Sequence, residues 1–240
     1  MPPVNPSPIP CIVALDYPSR DELLGFLKSV TPQSVPWVKI GLQSFCLNGP
    51  GLVREVGAAG FKIFLDLKLH DIPNTVAGAV RSLSSLPISM LTLHASGGLE
   101  MMQRALDIQQ ELAPDLRLLG VTVLTSMDRK GLAETGITNA PDAHVERLAS
   151  LALEAGMPGL VCSPLELRNL RQEFGKNPFL VTPGVRPAGG DMGDQKRTMT
   201  PAEAVQAGAS ALVVGRPITK AADPVAAVKG IQEEMSLAIQ

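Results

Sequence analysis

Aromatic residues are scarce: one Trp, one Tyr and six Phe make up 3% of the 240 residues. That leaves no row of rings on which successive bases would stack. An excess of either charge is missing too. Lys and Arg number 21, Asp and Glu 23, and the formal net charge is −2, so no basic field draws in a polyanion. Cysteine is limited to Cys11, Cys46 and Cys162. Three scattered thiols give no disulfide frame and no C-x-x-C metal pair, and they read as small buried apolar residues in a reducing compartment. No apolar run approaches the ~20 residues that a membrane helix requires. The opening MPPVNPSPIP lacks the basic and apolar regions of a signal peptide, and its prolines suit an extended arm. The expectation is a soluble, cytoplasmic protein.

What is present is aliphatic and regular. Apolar residues make up 45% of the chain, ample for one large α/β domain. Eight short runs read as strands: 11–16, 37–42, 62–69, 90–95, 116–124, 159–163, 179–185 and 211–215. Most show little polar alternation, as expected of parallel strands covered on both faces. Helical stretches follow them at 20–30, 50–59, 75–85, 99–112, 143–155, 164–174, 201–207 and 224–238. Ala-Gly pairs at 59–60, 155–156 and 207–208 mark helix ends, where glycine takes the left-handed position. Eight strand-then-helix units predict a (β/α)8 barrel. A doubly wound sheet shares the alternation, but the count of eight and the lack of an early G-x-G-x-x-G favour the barrel. No linker interrupts it, so residues 1–10 read as an arm and 11–240 as one catalytic domain.

In a barrel the active site gathers at the C-terminal strand ends. Asp16 closes the first strand, Lys39 lies in the second, His94 ends the fourth, Thr125 and Ser126 the fifth, and Ser163 the sixth. The third strand runs into FLDLKLHDIPNT, residues 64–75. Residues i and i+2 of a strand share a face, so Asp66 and Lys68 are expected side by side, with Asp71 where the strand gives way. Two acids bracketing a lysine in an apolar setting are costly unless the charges pair or act. His94 reads as a core histidine bonded to nearby backbone, and Ser163 before Pro164 as a helix N-cap.

The last quarter adds an anion signal. The stretch TPGVRPAGGDMGDQKRTMT is long, polar and glycine-rich; such a loop inside a compact domain is usually functional, and Gly189, Gly190 and Gly193 allow it to move as a lid. VVGRPIT then sets the Gly215 amide beside the Arg216 guanidinium, a pairing suited to a phosphate dianion at the place where barrels often bind one.

Seven segments, in order, resemble the bacterial orotidine 5′-phosphate decarboxylases: ALDYP, VKIGLQSF, FLDLKLHDIPNT, LTLHASGG, VTVLTS, TPGVRP with GDQKR, and VVGRPI. The D-x-K-x-x-D string is the most specific of them. The resemblance implies a (β/α)8 barrel that converts orotidine 5′-phosphate to UMP and carbon dioxide in pyrimidine biosynthesis, without a cofactor or metal. It implies that Lys39, Asp66, Lys68 and Asp71 form the catalytic charges, with Lys68 protonating C6. Asp16 and Lys39 would hold the ribose hydroxyls, and Thr125 would face the pyrimidine. Gln195, Gly215 and Arg216 would grip the phosphate, with Arg186 at the lid. It further implies a homodimer with shared sites, Asp71, Ile72 and Thr75 serving the partner. The proline-rich arm lies outside every motif.

The implied chemistry agrees with the charges. Loss of carbon dioxide leaves a carbanion at an sp² carbon, which a fixed ammonium would stabilise and then protonate. Flanking carboxylates favour the ammonium form of a lysine. Three rivals remain. A magnesium-dependent 3-keto-gulonate 6-phosphate decarboxylase shares the motif but has a glutamate where this chain has Lys39. A Schiff-base aldolase would need a neutral lysine, which flanking acids oppose. A non-catalytic nucleotide-phosphate sensor would have to bear the cost of four gathered charges.

Overall fold

The structure is a computed structural model that describes residues 9–187 and 199–238. Eight parallel strands close into a barrel in sequence order: β1 (Cys11–Ala14), β2 (Trp37–Gly41), β3 (Lys62–Leu69), β4 (Met90–His94), β5 (Arg117–Val121), β6 (Gly159–Val161), β7 (Phe179–Thr182) and β8 (Ala211–Val214). The ring closes where Ile12 pairs with Val213. The expected barrel is therefore present, and the doubly wound alternative is excluded. Most strands end earlier than expected, so Asp16, Thr125, Ser163, Arg186 and Gly215 lie in the loops that follow them.

The helices are α1 (Arg20–Ser29), α2 (Leu42–Ala58), α3 (Pro73–Leu83), α4 (Leu99–Leu112), α5 (Arg129–Glu134), α6 (Pro141–Glu154), α7 (Leu167–Phe174), α8 (Pro201–Gln206), α9 (Arg216–Thr219) and α10 (Pro224–Leu237). Four differ most from expectation. Helix α2 begins eight residues before Pro50, because two helical stretches join across a kink at Gly49, whose φ is 62°. Helix α3 starts at Pro73 rather than at Thr75; proline at the first turn has no amide proton to lose there. The short α5 and α9 were not expected. They carry too few residues for a hydrophobic period, although Asp128 caps α5 by accepting from the Gly131 amide. The anticipated helix ends hold: Gly60, Gly156 and Gly208 all have positive φ. Ser163 is also a cap, in a reciprocal capping box with Glu166.

Side-chain alternation sorts the strands into two apolar layers. Ile12, Ala14, Phe64, Met90, Leu119, Val181, Ala211 and Val213 pack together inside the barrel. Their strand neighbours Val13, Leu65, Leu91, Leu118, Leu180 and Leu212 belong to the larger cluster under the helices. The inner residues fill the lower barrel with side chains that need no hydrogen bond. Cys11 and Cys162 are buried, as expected, but Cys46 is exposed on α2, a helix that the sequence reading began only at residue 50.

Candidate active site

The inner face of β2, β3 and β4 changes character two residues above its apolar floor. Trp37, Phe64 and Met90 are followed at the next inward positions by Lys39, Asp66 and Thr92. The period of two that buries the floor also delivers these polar groups to the mouth. Lys39 and Asp66 border a cavity of about 390 Å³ whose lining includes Asp16, Lys39, Asp66, Lys68, Thr125, Arg186, Gly215 and Arg216. Val121, Val123, Leu124 and Val161 give it an apolar wall.

The charges form one chain. Asp16 Oδ1 lies 3.2 Å from Lys39 Nζ, Lys39 Nζ 3.5 Å from Asp66 Oδ2, and Lys68 Nζ 2.8 Å from Asp66 Oδ1. Asp66 and Lys39 are almost wholly enclosed, whereas Asp16 is exposed and Lys68 half-buried. Burial pushes the Asp66 carboxyl up, but Lys39 and Lys68 outweigh it. With hydrogen bonds from Lys68 and Thr92 they hold it below the ordinary carboxylate value. A glycine makes the first link possible. A Cβ on Gly41 would stand 2.9 Å from Asp16 Oδ1 and 3.1 Å from Lys39 Nζ, so a side chain there would crowd the ion pair.

Lys68 does not sit in regular strand. Leu65 pairs with Leu91 and Leu69 with Leu93, so four steps on β3 match two on β4. Within that irregularity Lys68 has a φ of 52°, the one positive value outside glycine among the described residues. Left-handed backbone is disfavoured for a side chain with a Cβ. Asp66 and Lys68 are neighbours, as the spacing predicts, but a bulged strand brings them together rather than simple alternation.

Asp71, Ile72 and Thr75 are exposed and do not line the cavity. The Asp71 carboxylate accepts from the Ile72 amide at 2.7 Å. Arg186 is buried, its guanidinium donating to the Val185 carbonyl at 2.9 Å. Ser126 is exposed outside the lining. His94 departs from expectation: it is half-buried, with its ring 5.4 Å from that of exposed His70. Burial, His70 and Lys68 lower its pKa against the opposing pull of Asp66. Gln195 and the lid glycines fall outside the described residues. Sequence reading missed Thr92, Gly41 and Thr219. The clearest available signal was Thr92, a lone hydroxyl in the apolar run MLTLH, which must find a partner if buried.

Residues 10–231 match the profile of the orotidine 5′-phosphate decarboxylase/HUMPS family. The chain belongs to that family. An orotidine 5′-phosphate decarboxylase from Opitutus terrae is 54% identical over 224 residues, which span 93% of this chain and 97% of that one. Another, from Vibrio campbellii, is 48% identical over 226 residues, 94% of this chain and 97% of its own. A crystal structure of orotidine 5′-phosphate decarboxylase from Lactobacillus acidophilus superposes with a TM-score of 0.84 at 38% identity, covering 94% of this chain and 98% of that one. Family membership thus agrees with the resemblance drawn from the seven motifs. Among the described residues, no helix is long and apolar enough to cross a membrane, and no three His, Cys, Asp or Glu side chains converge as a metal site would require.

Proposed function

We propose that the chain decarboxylates orotidine 5′-phosphate to UMP and carbon dioxide, a step of pyrimidine biosynthesis, with Lys68 delivering a proton to C6. The family and its named relatives carry the activity. The observation that supports the mechanism is the chain Asp16–Lys39–Asp66–Lys68, with contacts of 3.2, 3.5 and 2.8 Å, at the edge of one cavity that also holds Arg216. Asp66 holds Lys68 Nζ at a fixed place. As the C6–carboxylate bond breaks, its electron pair stays on C6, and the ammonium stabilises that charge without having to reorganise. The ammonium then gives C6 a proton. Asp16 and Lys39 bind the ribose hydroxyls, Thr125 faces the ring, and Gly215 and Arg216, with Gln195, take the phosphate. Binding energy from the phosphate, remote from C6, is available to order the charged groups. The reaction needs no metal or organic cofactor.

The active unit is a homodimer with shared sites. Asp71, Ile72 and Thr75 face solvent outside their own cavity, and Ile72 and Leu42 are 67% and 58% exposed. Apolar side chains this open suit a protein contact, which would carry Asp71 to a partner's Lys68. The three free cysteines suit a reducing compartment, and we place the protein in the cytoplasm.

The magnesium-dependent keto-gulonate phosphate type is the rival reading, so the substrate test must separate the two. Ultraviolet loss of orotidine 5′-phosphate is expected at the same rate with and without a chelator. Activity lost to chelator and restored by magnesium would favour the keto-gulonate phosphate type instead. Mixing inactive Lys68→Ala with inactive Asp71→Ala subunits tests the shared site. Each heterodimer would hold one intact site and one doubly altered site, so activity should return. Verified subunit exchange without recovery would mean that Asp71 acts within its own chain.

A further inference from the structure

We infer that Thr92 is a positioning residue for Lys68, a role that rests on the reading of Lys68 as the proton donor. Thr92 is fully buried on β4, directly beside the irregular part of β3. Its Oγ1 lies 2.9 Å from the Lys68 amide nitrogen and 3.0 Å from Asp66 Oδ1. The direction of both bonds follows from chemistry. An amide N–H can only donate, so the hydroxyl oxygen accepts there. An ionised carboxylate can only accept, so the single hydroxyl proton goes to Asp66.

These bonds close a ring. Lys68 N–H donates to Thr92, Thr92 donates to Asp66 Oδ1, and Lys68 Nζ donates to that same oxygen at 2.8 Å. Lys68 is therefore gripped at its backbone and at its ammonium through one hydroxyl and one carboxylate. The grip falls where the β3–β4 register shifts and where Lys68 adopts a φ of 52°. A backbone in a sparsely populated region persists only when its surroundings over-determine it. Thr92 makes a side-chain bond to the Lys68 amide within the shifted segment, holding the turn that aims Nζ into the cavity. It does not itself border the cavity, so it acts through Lys68 and Asp66 rather than on substrate.

The test compares Thr92→Val, which keeps the shape and loses the hydroxyl, with Thr92→Ser, which keeps the hydroxyl. Thr92→Val should lower kcat about 100-fold, the scale of loss from an ångström of misplacement. KM for orotidine 5′-phosphate and Kd for UMP should stay within about threefold, since the groups that bind phosphate and ribose remain. Thr92→Ser should keep kcat within about threefold of the parent, because the donor and acceptor are retained. A merely structural role would lower stability and leave the kcat of folded enzyme unchanged. Should Thr92→Val fail to fold, Thr92→Ala carries the same expectation. The inference is overturned if a folded hydroxyl-free variant turns over normally, or if Thr92→Ser loses as much kcat as Thr92→Val. Lys68→Ala run in parallel separates the two ideas. If it stays active, the proton-donor reading fails and this inference with it. If it is inactive while Thr92→Val is not, only the positioning role falls.

Discussion

The two halves of β3 are built for different ends. From Lys62 to Leu65 the strand is regular on both edges. Phe64 pairs with Lys39 on one side and Met90 on the other, and Ile63, Phe64 and Leu65 are at most 1% exposed. From Asp66 to Leu69 the edge against β2 stops at Gly41, and the edge against β4 jumps register. Both buried charge and left-handed backbone lie in this upper half. A packed, satisfied strand gives stability but allows little choice of side-chain direction. The upper half gives up ladder pairing and places an ammonium where alternation would not put it. Rule-breaking at a site amid consistency elsewhere is expected of a functional region.

The sharpest way to test this division is to remove the chemistry and keep the fold. Lys68→Ala should lower turnover on the order of 10⁴-fold or more, since it deletes both a general acid and a preorganised cation. Its circular dichroism and unfolding midpoint should stay close to the parent's, because Lys68 is half-buried at a polar mouth. A purified variant that kept a tenth of normal turnover would remove Lys68 from the role of proton donor.

Phe64→Ala should do the reverse. Phe64 fills the barrel floor and is 1% exposed, so truncation should cost about 3–5 kcal/mol in denaturant unfolding. The folded fraction should retain kcat within about threefold, because no charged group moves with the ring. A large kcat loss at unchanged stability would show that the two halves are not separable.

Asp66 stands at the border and should affect both properties. Asp66→Asn should destabilise the protein by on the order of 3 kcal/mol near neutral pH, the scale for breaking an enclosed ion pair. The folded-state pKa of Asp66 is depressed, so its stabilising contribution is fully present above the unfolded value of about 3.9 and is lost as pH falls through the folded one. The gap between parent and variant should therefore narrow in acid. A gap that widened in acid, or that stayed constant as pH falls below the unfolded value, would contradict the depressed pKa.

Most of this division was legible in the sequence, for physical reasons. Eight apolar runs and their glycine stops follow from hydrophobic period and left-handed backbone, which are local properties. Asp16, Lys39, Asp66, Lys68, Thr125, Arg186, Gly215 and Arg216 could be placed at one cavity because a barrel brings strand ends to one mouth. The bulge was not legible. LDLKLH alternates cleanly with period two and so gives no local sign of a register shift, which depends on pairing with β4, whose Thr92 lies 24 residues beyond Lys68. Whether Asp71 lines its own cavity could not be read from spacing either, since that depends on where the chain turns after Leu69; it lies outside. His94 was misjudged because an apolar strand looks the same whether its last residue faces core or rim.

The finest test addresses backbone alone. At a φ of 52°, a residue with a Cβ carries strain of about 1–2 kcal/mol that glycine escapes. Glycine also loses more freedom on folding, a cost of roughly 0.5–1 kcal/mol against alanine. At Lys68 the first effect should win, so Lys68→Gly should be more stable than Lys68→Ala by about 0.5–1 kcal/mol, though both are inactive. Lys62 provides the control. It is exposed at the regular end of the same strand and lies over the Trp37 ring, 5.4 Å from its centroid. Both substitutions there lose that contact equally, so Lys62→Gly should be less stable than Lys62→Ala by roughly 0.5–1 kcal/mol. The same pair of substitutions thus changes sign within seven residues of one strand. Matching signs at the two sites, measured by urea unfolding, would mean that the upper half of β3 is not held in left-handed backbone in solution.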